Sequence, residues 1–241
     1  MCSVSIAVSE TASNIEPVPS LRSLSGMFAI ASVFAAVGGF LDAYSYLARG
    51  GVFANAQTGN VVLFAARAAA GNWSSAWKPL PSILAYACGV AVARLLRVRR
   101  QKHTFRATLT CQALELLVLI ALLFFGRFVS DLCAVSLIAF SAALQNTSFS
   151  NVGPWEFNSA MTTSNLRNAV SGWVRLALGE TDPKLRGGAI VGSVVLLCFV
   201  AGALLGGVCT LRLHAYRLLP CVLLVVGGTA LTIRERERRL R

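Results

Sequence analysis

Long apolar runs alternate with two short ones along this chain, and that pattern predicts the architecture. Runs at 26–48, 79–98, 107–125, 132–149, 187–211 and 215–233 are of crossing length, since a helix needs about 20 residues to pass about 30 Å of hydrocarbon. Residues 61–71 and 166–179 are apolar enough to enter a bilayer but too short to cross it. The first would form about 16 Å of helix. The Gly-rich stretch 49–60 precedes one short run, and the linker 72–81, with Trp73 and Trp77, follows it. Those two aromatics have the character of a membrane interface.

The pattern then repeats. GGFLDAYSY, residues 38–46, ends the first long run, and SAALQNTSF ends the fourth at an offset of 103. This aligns Leu41 with Leu144, Asp42 with Gln145, Ser45 with Ser148 and Tyr46 with Phe149. At an offset of 105, Thr58-Gly59-Asn60 meets Thr163-Ser164-Asn165, each opening a short run. Gly89/Ala93 and Gly202/Gly206 add a shared small-xxx-small spacing. The expectation is an all-α membrane protein of six transmembrane helices plus two short half-helices, built as an internal inverted repeat. Its parts are a disordered polar tail (1–25), a first membrane repeat (26–126), a second (127–233) and a basic cytoplasmic tail (234–241). The inversion follows from charge. With both short segments dipping in and returning, the termini, the basic loop 94–106 and the 150–186 region share one side. That side carries all but six of the 22 Lys and Arg residues, the six being Arg49, Arg67, Lys78, Arg127, Arg212 and Arg217. Positively charged residues stay on the cytoplasmic side, and three spans per repeat invert one half relative to the other, as in many transporters.

Composition agrees. Of 241 residues, 56% are hydrophobic and 13% charged, with mean hydropathy +0.66, against about 25% charged in soluble domains. The net charge of +12 does not point to nucleic acid, because the basic residues flank apolar runs, where they meet anionic lipid. Seven cysteines form no CxxC and no metal-like grouping with His103 or His214, so neither a disulfide framework nor a metal or other cofactor is expected. Residues 1–25 read as neither a secretory signal nor a transit peptide. The expected setting is the plasma membrane, with both termini cytoplasmic. Lipid is the expected partner, a small solute is a hypothesis, and a homo-oligomer is left open.

Charges inside spanning helices are costly and demand a reason. Asp42 and Glu115 are the two such carboxylates, read either as facing an aqueous path or as packing partners. Gln145 and Asn146 offer amides at the place equivalent to Asp42. A helix starting within the bilayer exposes unsatisfied N–H groups and a positive dipole end. Thr58, Gly59, Asn60, Thr163 and Asn165 are therefore candidates to bind a solute at two such ends, with Thr or Asn as caps. The alternative is a structural cap at the membrane surface. Arg67, Arg167 and Arg175 are candidates to line a path with positive charge. Arg167, Ser171 and Arg175 recur every four residues on one helix face, which suits either a wet cavity or an interfacial helix. No HExxH, GxSxG or GxxxxGK[ST] motif occurs, and no catalytic residue is expected.

Gly39–Ala43 with its G-F-x-D-A pattern, Phe53 followed by Thr58-Gly59-Asn60, and Gln145-Asn146 followed by Thr162-Thr163 together resemble the YoaK-like family of uncharacterised membrane proteins. Ser164 stands where that family often has Gly. The resemblance spans about 25–233 and implies a multi-pass integral membrane protein without an assigned activity. The function expected is a transporter or channel for a small polar or anionic solute with a site near the bilayer midplane. The alternative is a non-transporting membrane scaffold or assembly factor.

Overall fold

The computed structural model describes residues 21–99, 104–148, 151–152, 155–156 and 162–240. The chain forms helices α1 (Leu21–Ala48), α2 (Gln57–Ala69), α3 (Trp73–Ala76), α4 (Leu80–Arg99), α5 (Thr104–Phe125), α6 (Asp131–Ser148), α7 (Thr162–Ala177), α8 (Pro183–Arg212) and α9 (Leu219–Leu240). A two-residue antiparallel ladder pairs Val152 with Trp155. Among the described residues, five helical segments are long and apolar enough to cross a membrane: Ser25–Ala48, Trp73–Arg99, Phe105–Phe125, Pro183–Arg212 and His214–Arg238. α6 has 18 residues, but Asp131 and Gln145-Asn146 dilute its apolar character.

Several boundaries differ from those expected. α1 starts at Leu21, within the stretch expected as tail, and residues 1–20 lie outside the described residues. The basic segment 94–106 is mostly helix, because α4 continues to Arg99 and α5 resumes at Thr104. The basic end 234–241 is not a tail either. α9 runs through it to Leu240, since Arg and Glu are strong helix formers and Arg236 lies over the Phe105 ring, 4.1 Å from its centroid. α8 starts earlier than expected because Asp182 caps it, accepting from Lys184 N at 2.8 Å, with Pro183 in the first turn.

α1 and α6 stand at the centre. α1 packs along α8 and α9, α6 packs along α4 and α5, α2 lies on α4, α7 lies on α8, and α5 meets α9. The main core joins Phe34, Phe40 and Leu41 of α1 to Leu119 of α5, Ile138 of α6 and Val225 of α9. Small residues bring the closest helix pairs together, because lipid tails supply no hydrophobic drive to separate helices from lipid. A methyl group added at Gly39 or Gly202 would collide with the backbone oxygen of Phe199 or Ala36 respectively. At Gly206 it would lie 2.6 Å from Phe40 O, and at Gly89 2.5 Å from Phe140 O.

α2 and α7 run back toward opposite ends of the bundle, since α1 and α8 lie parallel, with Ala36 against Gly202 and Phe40 against Gly206. The 28-residue α1 is long enough to cross, and α2 begins beside Asp42, about 9 Å short of α1's last residue at ~1.5 Å per residue. Its far end comes back to the loop after α1, where Arg67 donates to Gly51 O and to Ser75 O, each at 3.2 Å. α7 begins beside Phe199 and Ala203, deep in α8. It then runs back past Ser193, which accepts from Trp173 Nε1 at 3.0 Å, to the level of Lys184. Both short helices end alike. Gly71 and Gly179 take left-handed backbone angles (φ +73° and +96°). The next residue's N–H then bonds back five residues, Asn72 to Arg67 O (2.9 Å) and Glu180 to Arg175 O (3.1 Å). This is the Schellman arrangement that glycine permits. Gly202→Leu should destabilise the folded protein by about 1–3 kcal/mol through overpacking, read as a lower thermal unfolding midpoint in detergent. Gly227→Ala, with nothing within 4 Å of the added methyl, should leave that midpoint unmoved.

Candidate functional site

α2 starts without a cap of its own. Its N-cap residue is Ala56, which supplies no side-chain hydrogen bond, so Thr58 and Asn60 lie inside the helix and do not cap it. Asp42 on α1 instead holds the turn that leads into it. It is 6% exposed, and its Oδ1 accepts from Asn55 N, just before the N-cap, at 2.7 Å. A carboxylate at a helix N-terminus meets both the free donors and the positive dipole end. Asn55 is held further by Gly38 O (3.2 Å), and its Oδ1 accepts from Asn146 Nδ2 at 3.2 Å. That same Asn146 nitrogen lies 3.2 Å from Tyr86 Oη. One polar chain thus runs from α1 through the 53–56 turn to α6 and α4.

Asn60 is fully buried and works as a clamp. Its Oδ1 accepts from Phe53 N (2.9 Å), and its Nδ2 donates to Phe53 O (2.8 Å) and Gln57 Oε1 (3.0 Å). Ser82 Oγ on α4 donates to the same Phe53 O at 3.0 Å. Gly59 lies under the Phe53 ring, where an added methyl would stand 3.1 Å from Cδ2. Phe53 in turn stacks on Tyr46, with ring centroids 4.9 Å apart. Asn60 therefore fixes the path into α2 and leaves no group for a solute.

The first turns of α2 and α7 border one cavity of about 400 Å³, lined by residues 55–58, Tyr86, residues 162–164 and Arg167. Of the residues singled out in the sequence, Thr58, Thr163 and Arg167 line it. Asn146 reaches it only through Asn55 and Tyr86. A second cavity of about 550 Å³ opens beside it, sharing Ala56 and Thr162 and reaching Asp42, Phe53, Phe199 and Gly207. The two halves differ in charge. Gln145, at the place equivalent to Asp42, is 2% exposed and donates to Phe34 O at 3.1 Å. The α2 end is thus met by a carboxylate, whereas the α7 end carries Arg167 on its own second turn.

The remaining candidates fall elsewhere. Asn165 is 3% exposed, against α8, where its backbone oxygen would stand 2.8 Å from a methyl at Gly192. Asn165, Ser171 and Arg175 border a separate cavity of about 300 Å³ with Asn168 and Lys184, so Arg167 and Arg175 serve different cavities although they share a helix. Arg175 is paired with the exposed Glu180 through bonds of 2.5–3.0 Å, and the guanidinium's hydrogen bonds hold the Glu180 carboxyl below its usual range. Arg67 ties loops together, and Glu115 is buried in the α5 contact region. Asn55, Gln57, Ser82, Tyr86 and Thr162 are the participants that chain-order reasoning passed over as site residues. Their signal was present as polar positions in FANAQTG and as Ser82 and Tyr86 four residues apart in an otherwise apolar helix.

No solved structure matches the chain. A relative, the UPF0700 transmembrane protein YoaK of Bacillus subtilis (strain 168), is 23% identical over 181 residues, covering 72% of this chain and 80% of that protein. The family described as "Protein of unknown function (DUF1275)" matches residues 30–231. With its apolar helices, this is an integral, multi-pass membrane protein, and it belongs to that YoaK-like family.

Proposed function

We propose that this protein moves a small polar or anionic solute through the cavity between the first turns of α2 and α7. The observation that carries the reading is that two helices too short to cross a bilayer begin at one shared, polar cavity, where Thr58, Thr163, Ser164, Tyr86 and Arg167 converge. Non-helical backbone at membrane depth is tolerated only where protein buries it or water reaches it, and paired half-helix starts are how several transporter folds build a midplane site. Because Asp42 already faces the α2 end, an anionic group on the solute belongs at the α7 end, near Arg167. Hydroxyl or amide groups then suit Tyr86 and Asn55. No chemistry on the solute is part of this reading.

The reading includes an inverted repeat of six crossings, with α6 as the sixth. Exchanging α1, α2, α4 and α5 for α6, α7, α8 and α9 turns each main packing pair into another: α1–α8 into α6–α4, α1–α9 into α6–α5, and α2–α4 into α7–α8. The matching Schellman ends at Gly71 and Gly179 support the same duplication. On this topology both termini are cytoplasmic, by the positive-inside rule, and the plasma membrane is the setting. Asp42 is the coupling group: protonating it weakens the acceptor that holds the Asn55 N–H, which loosens the turn leading into α2.

Reconstituted into liposomes and screened against small polar and anionic metabolites, the protein should take up at least one. Arg167→Gln should raise KM for an anionic solute about tenfold, the loss of one charged hydrogen bond of about 1.5 kcal/mol, with unfolding midpoint unchanged. Replacing the exposed Arg234 and Arg238 together by Gln should leave uptake intact; a scaffold would show the reverse dependence. A proton gradient should accelerate wild-type uptake, and Asp42→Asn should abolish that acceleration. The coupling role fails if the pH profile of every transported substrate survives this change. Asn60→Ala, by contrast, should act through stability, costing about 1–3 kcal/mol for the unsatisfied Phe53 N–H, measured as a lowered unfolding midpoint.

A further inference from the structure

Buried polar groups gather in one more place, remote from the cavities. α5 and α9 meet through Gln112 and Glu115 on one side and Thr232 on the other, with both α5 residues at 0% exposure. Gln112 Nε2 donates to Thr232 Oγ1 at 3.2 Å, and that hydroxyl donates to Gly228 O at 2.8 Å. The amide is thereby oriented, and its Oε1 receives no hydrogen bond. Neither Glu115 oxygen, one helical turn further on, receives one either. All three are acceptors, so what the seam lacks is a donor.

The surroundings narrow the choice of donor. Glu115 is the twelfth of the 22 residues of α5, as far from water as that helix allows. Among the described titratable groups, the Cys221 thiol on α9 lies near enough to feel its charge. Farther along the seam α9 carries Glu235, beside Gly26 of α1. The packed faces of α1 and α6 bring Phe34 and Ile138, not charge, and Arg97 of α4 stands toward Cys111, a turn away from Glu115. The described ion pairs, Arg49–Asp131 and Arg175–Glu180, lie elsewhere. An ionised carboxylate here would be an uncompensated charge in a dry interface. A metal cation prefers about six or more oxygen ligands, twice the acceptors free here. A proton needs one oxygen and turns the carboxyl into a donor.

We propose that the α5–α9 seam is a proton-binding site, with Glu115 holding the proton while the two helices are in contact and releasing it to water when they part. This stands apart from the solute reading, because it rests on no cavity. Infrared spectroscopy on the full chain in lipid tests it directly. At pH 7 the wild type should show a protonated-carboxyl C=O band that Glu115→Gln removes and Glu180→Gln leaves in place. With increasing pH that band should fade as spin labels at the lipid-facing positions 117 and 223 move apart, while Glu115→Gln, a neutral isostere, keeps them together throughout. Identical wild-type and Glu115→Gln spectra at pH 7 would overturn the proposal. So would a wild-type unfolding midpoint that rises in sodium chloride but not choline chloride and loses that response in Glu115→Gln, since the seam would then hold a metal cation. Should the variant not fold, carbon-13 labelling of glutamate in a Glu235→Gln background isolates the same band, and its absence is equally decisive.

Discussion

The structure depends on how a helix can begin where there is little water. Four N–H groups at the start of any helix lack partners within it, and in a bilayer each must be answered by the protein itself or by a wet cavity. At α2 the turn before the helix is fixed by the protein, Asp42 taking the N–H of Asn55 and Asn60 both backbone groups of Phe53, while the first turn itself faces the cavity. Other features of this half follow. The turn must come close to α1, so α1 carries small residues near Asp42. Ser82 must reach Phe53 O, so α4 lies against α2.

The surroundings of α7 carry different chemistry. Gln145 donates to Phe34 O on α1, which ties the central helices together. Asn165 keeps its buried place against α8, but glycine at 192 stands there in place of a hydroxyl like that of Ser82. The outcome is a pair of short helices with unequal electrostatics at one cavity. The turn before α2 is met by an acid, and α7 bears an arginine.

Close helix contact supplies the rigidity this needs. Gly39 against Phe199 and Gly202 against Ala36 bring the α1 and α8 backbones together, as Gly89 does for α4 and α6. The lipid-facing surfaces are left to large apolar side chains such as Leu84, Leu117, Leu197 and Leu223, all more than 60% exposed. In water that exposure would be a liability; in lipid it is the solvated state.

The sequence alone determined the class and the order of long and short apolar elements. Apolar content, basic residues beside apolar runs, and stretches too short to cross are one-dimensional facts that lipid thickness converts directly into architecture. The repeated polar positions likewise placed Thr58, Thr163 and Arg167 beside helix starts. What only tertiary structure decided was the direction each polar group faces. Asn60 and Thr58 sit two residues apart at the same helix start, yet one is a clamp and the other lines a cavity. The path of the 49–56 turn sets the rotation of α2 about its axis, and that rotation depends on Asp42, thirteen residues before Asn55. The seam at Glu115 is of the same kind. Its partners come from a helix more than a hundred residues away, and only the packed fold shows which acceptors are left without a donor.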